Sequence, residues 1–237
     1  MPAKNYLWYM SLPAYLQPLK QQFELLADAE NAAAMKAYLR DKFEFYGIKK
    51  PELRPLFREH WKAYPLPDYS ELPAIIEACW KQPQREWHYF GQELPEKYVK
   101  RKADVALLDV CEWMIMHQTW WDTVDHIATK LVSILVKRFP EAKQSHIEPW
   151  SNSSNIWLQR TAILYQRDYK QNTDLDELYA NILKVIDSNE FFLQKVIGWM
   201  LREYSKTDPQ EVLRFVAEHE DRLAPLSKKE ALRRIQR

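Results

Sequence analysis

Apolar residues recur along this chain at intervals of three and four, the spacing that places them on one face of an α-helix. The segments AYLQPLKQQFELLA and NAAAMKAYLRDKFEFY are clear examples, and they predict helices over residues 14–27 and 31–46. No segment alternates between apolar and polar positions for long enough to indicate a β-strand. The pattern therefore predicts an all-α protein.

The same spacing continues to the end of the chain, within one predicted domain over residues 1–237 that starts with an irregular lead over residues 1–13. Gly47 is expected to cap the C-terminus of the second helix, and the third helix is predicted to begin near Pro51. Further helices are predicted over residues 69–81, 83–97, 103–117, 119–139, 154–169, 175–187, 190–204, 209–218 and 227–235.

The helical segments repeat. PQREWHYFGQEL, SSNIWLQRTAIL and SNEFFLQKVIGW align so that Trp87, Trp157 and Phe192 are equivalent, with position 122 filling the gap in a spacing of 35 residues. The same spacing relates the positions seven residues upstream, which are Trp80, Ile115, Trp150 and Val185. A repeat of this length is typical of a HEAT-like helical solenoid, whose stacked pairs are expected to curve and to line a concave face.

One segment combines aromatic and acidic residues in an unusual way. In TWWDTVDHI, residues 119–127, Trp121 and Asp125 are four residues apart and share one helical face. The repeat spacing then predicts that Asp125, Arg160 and Lys195 form a row along one surface, and Trp199 and Arg202 share the helical face of Lys195. A surface that combines cations with indoles suits the phosphates and sugars of a nucleic acid.

Each of these residues also has an ordinary structural interpretation. Asp125 on a solenoid helix can be a solvated side chain, and Trp121 or Trp199 can belong to the core. Arg160 can form a salt bridge with Asp125 between repeats and have no further role. The shared position in the repeat favours a common surface, but it does not choose between these interpretations.

Composition narrows the functional classes. Three glycines cannot supply a glycine-rich phosphate-binding loop or the turns of a β-rich protein. The histidines show no zinc-binding spacing, and Cys79 and Cys111 lie within helical patterns, which favours buried thiols in a reducing cytoplasm. The chain has no apolar run long enough for a transmembrane helix, and its N-terminus does not resemble a signal peptide.

The net charge of +1 gives no sign of nucleic-acid binding. Two local basic clusters stand out, one over residues 97–102 and one over residues 228–237, where five cations face the single acid Glu230. Each cluster fits either a phosphate-binding surface or a solvated helix end, where cations suit the helix dipole.

The sequence resembles the AlkD-type DNA glycosylases of the bacterial DNA alkylation repair family. The matching segments are MKAYLRDKFEFYGIKKPELR, TWWDTVDHI, SSNIWLQRTAILYQ, EFFLQKVIGWMLREYSKT and LAPLSKKEALRRI. The resemblance implies a C-shaped stack of HEAT-like repeats that grips double-stranded DNA in its concave face. It further implies hydrolysis of the N-glycosidic bond of positively charged alkylpurines, without a metal or cofactor, and we expect a monomer.

The resemblance also assigns roles to single residues. It implies that Asp125 is the catalytic acid, that Trp121 and Trp199 lie near the damaged nucleotide, and that Arg160, Arg202 and Tyr38 contact the DNA or approach the lesion. Lys195 joins the DNA-binding residues through its position in the repeat. Asp168 departs from the family pattern, because a basic residue is expected there. Two alternatives remain: a relative that binds damaged or branched DNA without excision, and a protein-binding solenoid scaffold.

Overall fold

The computed structural model describes residues 12–235, so almost all of the irregular lead predicted over residues 1–13 lies outside the described residues. Within residues 12–235 there is no β-strand, only an isolated bridge between Glu44 and Gln84. The prediction of an all-α protein is confirmed. No helix in this described range is long and apolar enough to cross a membrane.

The chain falls into two compact units, whose boundary lies between Leu94 and Pro95. The single domain and the curved outline expected from the sequence stay predictions. The first unit contains 3₁₀ turns at Ala14–Leu16 and Tyr69–Glu71 and the helices α1 (Gln17–Leu25), α2 (Ala29–Tyr38), α3 (Lys50–Ala63), α4 (Leu72–Trp80) and α5 (Arg85–Glu93).

The second unit begins within a 3₁₀ turn at Leu94–Lys97. Two of its helical segments, Ile127–Val132 and Lys143–Ile147, are π-helices, and Lys170–Asn172 is a 3₁₀ turn. Its α-helices are α6 (Leu107–Met116), α7 (Trp121–His126), α8 (Ser133–Arg138), α9 (Glu148–Asn152), α10 (Ile156–Leu164), α11 (Leu175–Leu183), α12 (Phe191–Tyr204), α13 (Pro209–Glu218) and α14 (Pro225–Leu232).

Short polar side chains fix where several helices begin. The side chains of Asp28, Asn155, Asp174 and Asp208 accept hydrogen bonds from backbone N–H groups in the first turns of α2, α10, α11 and α13. The first N–H groups of a helix have no partner within it, so each such cap is worth about 1 kcal/mol.

The core of the first unit is aromatic. The ring of Phe23 lies 4.8 Å from that of Trp87, and the ring of Phe57 lies 5.2 Å from that of Phe90. All four side chains are buried, and they come from α1, α3 and α5. These aromatic side chains therefore pack the helices of the first unit together.

The predicted helix over residues 31–46 is wrong at its C-terminal end. The helix α2 stops at Tyr38, and Arg40 and Asp41 adopt positive φ angles of 58° and 57°. Gly47 is consequently not its C-cap. Gly47 has a φ of +94°, and a Cβ there would lie 2.1 Å from the carbonyl oxygen of Asp28. Glycine is needed because the loop passes directly over the first turn of α2.

A buried carboxylate organises this loop. Glu86, in the first turn of α5, accepts hydrogen bonds from the backbone N–H groups of Tyr46 (3.1 Å), Gly47 (2.9 Å) and Ile48 (3.2 Å). Burial raises the pKa of Glu86, and these N–H groups oppose that rise. The carboxylate thus accepts the hydrogen bonds of three loop N–H groups that would bind backbone carbonyl groups if this segment were helical.

The predicted repeat has a physical counterpart in the second unit. The equivalent rings of Trp157 and Phe192 lie 4.8 Å apart. Ion pairs also join residues 35 positions apart: the Asp187 carboxylate accepts from Nε of Arg222 at 3.1 Å and from Nη2 at 2.6 Å. The upstream equivalents Ile115, Trp150 and Val185 are buried.

The first unit is expected to lose stability in mild acid because of His60. This side chain is buried against Tyr15, Tyr64 and Phe90, and burial lowers its pKa from 6.5 to about 4. Between these pH values the unfolded chain binds a proton that the folded chain does not, so the free energy of unfolding falls as the pH falls from about 6.5 to about 4. Urea unfolding at several pH values measures this.

The matched variant for this prediction is His60→Phe, which keeps an aromatic ring in the cluster. Its free energy of unfolding should depend less on pH than that of the wild type across this window. A constant difference between the two proteins at all pH values would contradict the prediction.

Candidate active site

The segment TWWDTVDHI contains the start of α7, and its two adjacent tryptophans lie in different surroundings. Trp120 precedes the helix in an extended conformation with a φ of −161°. Its buried ring lies 5.7 Å from that of Trp157 and 5.1 Å from that of Phe192. Trp120 therefore anchors the segment in the core, while the partly buried Trp121 starts the helix. The core interpretation applies fully to Trp120, the indole that the sequence did not single out, and in part to Trp199, which packs against the hydrophobic core of the second unit.

Asp125 and Arg160 form a two-pronged ion pair between α7 and α10. Nε of Arg160 donates to Oδ1 of Asp125 at 2.7 Å, and Nη2 donates to Oδ2 at 2.9 Å. Nη1 of Arg160 donates to the carbonyl oxygen of Phe192 at 2.7 Å. The interpretation of Arg160 as a salt-bridge partner of Asp125 is confirmed, and the guanidinium also ties both helices to the first turn of α12.

The carboxylate remains partly accessible although its partner is not. The side chain of Asp125 is 16% exposed, whereas that of Arg160 is 5% exposed. A carboxylate has about four lone-pair sites, so sites remain for water or a ligand beside the two that Arg160 uses. Asp125 is thus held in one orientation and still open on one side.

The pKa of Asp125 is set by its burial and by the charges of neighbouring residues. Burial raises its pKa above the ordinary value of an aspartate, and the nearby Asp122 carboxylate adds to this rise. The hydrogen bonds and charge of Arg160 oppose it, as does the charge of Arg167. The carboxyl group consequently takes up a proton at a higher pH than a solvated aspartate does.

One predicted indole lies beside this pair. The centre of the Trp199 ring is 5.9 Å from Cζ of Arg160 and 5.6 Å from Cζ of Arg167, and the side chain is partly buried. Trp121 lies on α7 one turn before Asp125. The structure therefore brings Asp125, Arg160 and Trp199 together, with Trp121 on the helical face of Asp125.

Lys195 and Arg202 face a carboxylate whose place beside them was not predicted from the sequence. Glu230, on α14, accepts a hydrogen bond from Nζ of Lys195 at 2.9 Å, and its other oxygen pairs with Nη1 of Arg202. The hydrogen bond and charge of Lys195 lower the pKa of Glu230, and the charges of Arg202 and Arg233 add to this effect. Glu230 follows Lys195 by 35 residues, so continuing the repeat spacing by one step would have found it.

A glycine sets the distance between the two helices concerned. A Cβ at Gly198 would lie 2.5 Å from Cβ of Glu230 and 2.7 Å from the carbonyl oxygen of Ser227. The backbone of α12 therefore meets α14 directly at this point. This close approach brings the carboxylate of Glu230 within reach of both Lys195 and Arg202.

The helix that carries Asp125 changes from an α-helix to a π-helix at Ile127, two residues after Asp125. Residues Ile127–Val132 form a π-helix, and Oγ1 of Thr129 donates to the carbonyl oxygen of Asp125 at 2.7 Å. Short π-helical segments inside α-helices are frequent at functional sites. The apolar spacing over residues 119–139 predicted one uninterrupted helix and gave no sign of this change.

Two other predicted residues have different surroundings. Tyr38, in the first unit, is the last residue of α2 and is 72% exposed. Asp168, in the second unit, pairs with Arg167 at 3.0 and 2.9 Å. Among residues 12–235, no group of three His, Cys, Asp or Glu side chains is arranged to hold a metal ion.

Comparison with known proteins identifies the family to which the chain belongs. The model of a family described as DNA alkylation repair enzyme matches residues 19–235. The structure of a predicted DNA alkylation repair enzyme from Enterococcus faecalis is 31% identical, with a TM-score of 0.78, covering 87% of this chain and 95% of that one. None of the curated proteins matches the chain.

A more distant structure shares the fold alone. AlkD2 from Streptococcus mutans is 15% identical, with a TM-score of 0.63 over 94% of this chain and 98% of that one. The all-helical repeat architecture predicted from the 35-residue spacing is therefore the architecture of this molecule.

Proposed function

This chain belongs to the family of DNA alkylation repair enzymes, and from that premise we propose that it is a DNA glycosylase. Its substrates are positively charged N3- and N7-alkylpurines, such as 3-methyladenine and 7-methylguanine, in double-stranded DNA. The observation that carries the proposal is the partly exposed Asp125 carboxylate, which Arg160 holds with two hydrogen bonds beside the indole of Trp199.

The reaction follows from the charge of the damaged base. An alkyl group on N3 or N7 makes the purine cationic, so the base leaves as a neutral molecule when the electron pair of the glycosidic bond moves onto it. No general acid, metal or cofactor is needed for this departure. Positive charge then develops on the sugar, where the fixed carboxylate of Asp125 stabilises it.

Water completes the reaction. A water molecule adds to C1′ of the sugar, and the Asp125 carboxylate orients this water and accepts its proton. The products are the free alkylpurine and an abasic site. Trp121 and Trp199 form the walls beside the sugar, where each indole face adds about 0.5–2 kcal/mol of attraction to the developing cation.

The other predicted residues take supporting roles in this proposal. Arg160 is buried with three of its N–H groups bound, so we assign it the positioning of Asp125. The DNA contact implied for Arg160 stays a prediction, as do the contacts implied for Arg202, Lys195 and Tyr38. The buried, unpaired thiols of Cys79 and Cys111 suit a protein that works in the reducing cytoplasm.

A base-release assay tests the function. The protein is incubated with methylated duplex DNA, and the free bases are separated by chromatography. We expect 7-methylguanine and 3-methyladenine to appear faster than in the protein-free control, which measures spontaneous depurination. Unmethylated duplex DNA should release no base, because its purines carry no positive charge.

The non-excising alternative rests on the same ion pair. Arg160 neutralises much of the charge of Asp125, and Asp168 neutralises Arg167, which leaves less charge to act on a sugar or a phosphate. Tight binding of methylated duplex DNA without faster base release would favour this alternative and reject the glycosylase.

A further inference from the structure

A cavity at the C-terminal end of the second unit is lined by cations. Its volume is about 420 Å³, and its lining residues are Arg202, Lys206, Arg233 and Arg234. Arg202 lies in the last turn of α12, Lys206 follows that helix, and the two other arginines follow α14 directly. We call this cavity the basic pocket. Its volume lies within the usual range of ligand clefts, about 300–1,000 Å³.

The carboxylates beside the basic pocket do not balance its charge. Arg202 pairs with Glu230 and Lys206 pairs with Glu203, while Glu230 also binds Lys195. Arg234 is exposed and forms no ion pair with any residue between 12 and 235. The positive charge of the basic pocket therefore exceeds the negative charge around it, which is the condition for binding an anion.

A second cavity extends the cationic surface. It has a volume of about 290 Å³ and shares Lys206 with the basic pocket. Its other charged lining residues are the cations Arg167 and Lys170 and one acid, Glu203. Two neighbouring cavities that carry cations suit a ligand with phosphates at regular intervals better than a single small anion. The planar guanidinium groups of Arg233 and Arg234 match the two-pronged geometry of a phosphate.

We propose that the basic pocket binds a backbone phosphate of double-stranded DNA, and that Glu230 acts as an internal counter-ion that lowers the affinity of this site. The proposal rests on the proposed function, since that function makes duplex DNA the substrate. Without DNA, the Glu230 carboxylate binds Lys195 and Arg202. A phosphate that enters the pocket competes with it for Arg202.

The salt dependence of binding to unmethylated duplex DNA tests the phosphate site. The variant Arg233→Gln/Arg234→Gln should bind more weakly at low salt, and the slope of log affinity against log salt should shrink by about 1. The matched control is Arg214→Gln/Arg222→Gln, which removes two exposed arginines that do not line the basic pocket. Its slope should stay near that of the wild type.

The variant Glu230→Gln tests the counter-ion. We expect it to bind duplex DNA several-fold more tightly than the wild type, since the competing charge is gone. Weaker binding by a Glu230→Gln protein with an unchanged melting temperature would overturn this role. Equal slopes for the pocket variant and its control, or no binding of duplex DNA by the wild type, would overturn the phosphate site.

Inorganic phosphate serves as a probe to test whether the basic pocket binds a small anion and not a phosphate of DNA. The proposal fails if two results are found together. Inorganic phosphate raises the melting temperature of the wild type but not that of Arg233→Gln/Arg234→Gln, and both proteins bind duplex DNA with the same affinity. The pocket then holds a small anion. Binding is measured without excision, so the two proposals can fail separately. DNA binding through the pocket without base release rejects only the glycosylase, and base release with an unchanged slope rejects only the phosphate site.

Discussion

Replacing Asp125 with asparagine is expected to slow the release of 7-methylguanine from methylated duplex DNA by at least about a hundredfold. Asparagine keeps the shape of the side chain and can still accept a hydrogen bond from Arg160, but it cannot stabilise a sugar cation or accept a proton from water. Affinity for unmethylated duplex DNA should remain close to that of the wild type, since no DNA contact is assigned to Asp125. Base release and binding are measured on the same preparations.

The matched control is Asp187→Asn. Asp187 also pairs with an arginine 35 residues later through two hydrogen bonds. That pair is exposed, so Asp187→Asn tests whether losing a pair between repeats slows base release where no catalytic role is assigned, and the melting temperature of Asp125→Asn reports the effect on the fold. Comparable base release by the wild type and Asp125→Asn would remove Asp125 from the mechanism. The pH profile of the wild type is a further check. Because burial raises the pKa of Asp125, activity should fall on acidification at a higher pH than for a solvated aspartate.

Replacing Glu86 with alanine is expected to lower the free energy of unfolding of the first unit by about 3 kcal/mol or more. Three backbone N–H groups, those of Tyr46, Gly47 and Ile48, lose their acceptor, and each buried donor left without a partner costs about 1–3 kcal/mol. Urea unfolding followed by circular dichroism measures the loss. Glu86→Gln, which retains one side-chain oxygen as an acceptor, should lie between alanine and the wild type.

Glu52→Ala provides the comparison for this effect. Glu52 also lies in the first turn of a helix of the same unit, but it is exposed. Its replacement should cost only the interaction with the helix dipole, about 0.3–1 kcal/mol. If both alanine variants lost the same stability, the hydrogen bonds of Glu86 would contribute little.

The helices and their order could be predicted from the sequence, because apolar spacing reports directly which faces are buried. Three segments are exceptions: residues 143–152 are helical although no helix was predicted there, the predicted helix over residues 119–139 changes its winding at Ile127, and the segment after Tyr38 buries Phe43 and Ile48 without a helix. Its conformation depends on Glu86, about forty residues later along the chain. Local spacing does not contain a hydrogen bond between such distant residues, so the periodicity of residues 31–46 indicated a longer helix than the one that forms.

The candidate site could be predicted in part for a different reason. Repeat spacing places equivalent residues on one surface, and it correctly put Asp125 next to Arg160. Extended by one more step, the same spacing would also have put Glu230 next to Lys195. The repeat spacing does not determine whether a cationic side chain on that surface is exposed to solvent or paired with a carboxylate. Arg160 is buried because two hydrogen bonds to a carboxylate offset the cost of removing its charge from water. That balance depends on packing, which the spacing leaves open.

The ion pairs that span one repeat restrict how this chain can change in length. Asp125–Arg160, Asp187–Arg222 and Lys195–Glu230 each join residues 35 positions apart. Deleting one residue from a helix between two partners would rotate the second one by about 100° around its axis and separate the charges. We therefore expect insertions and deletions to occur in the loops outside these spans, or as whole repeats that leave every ion pair intact.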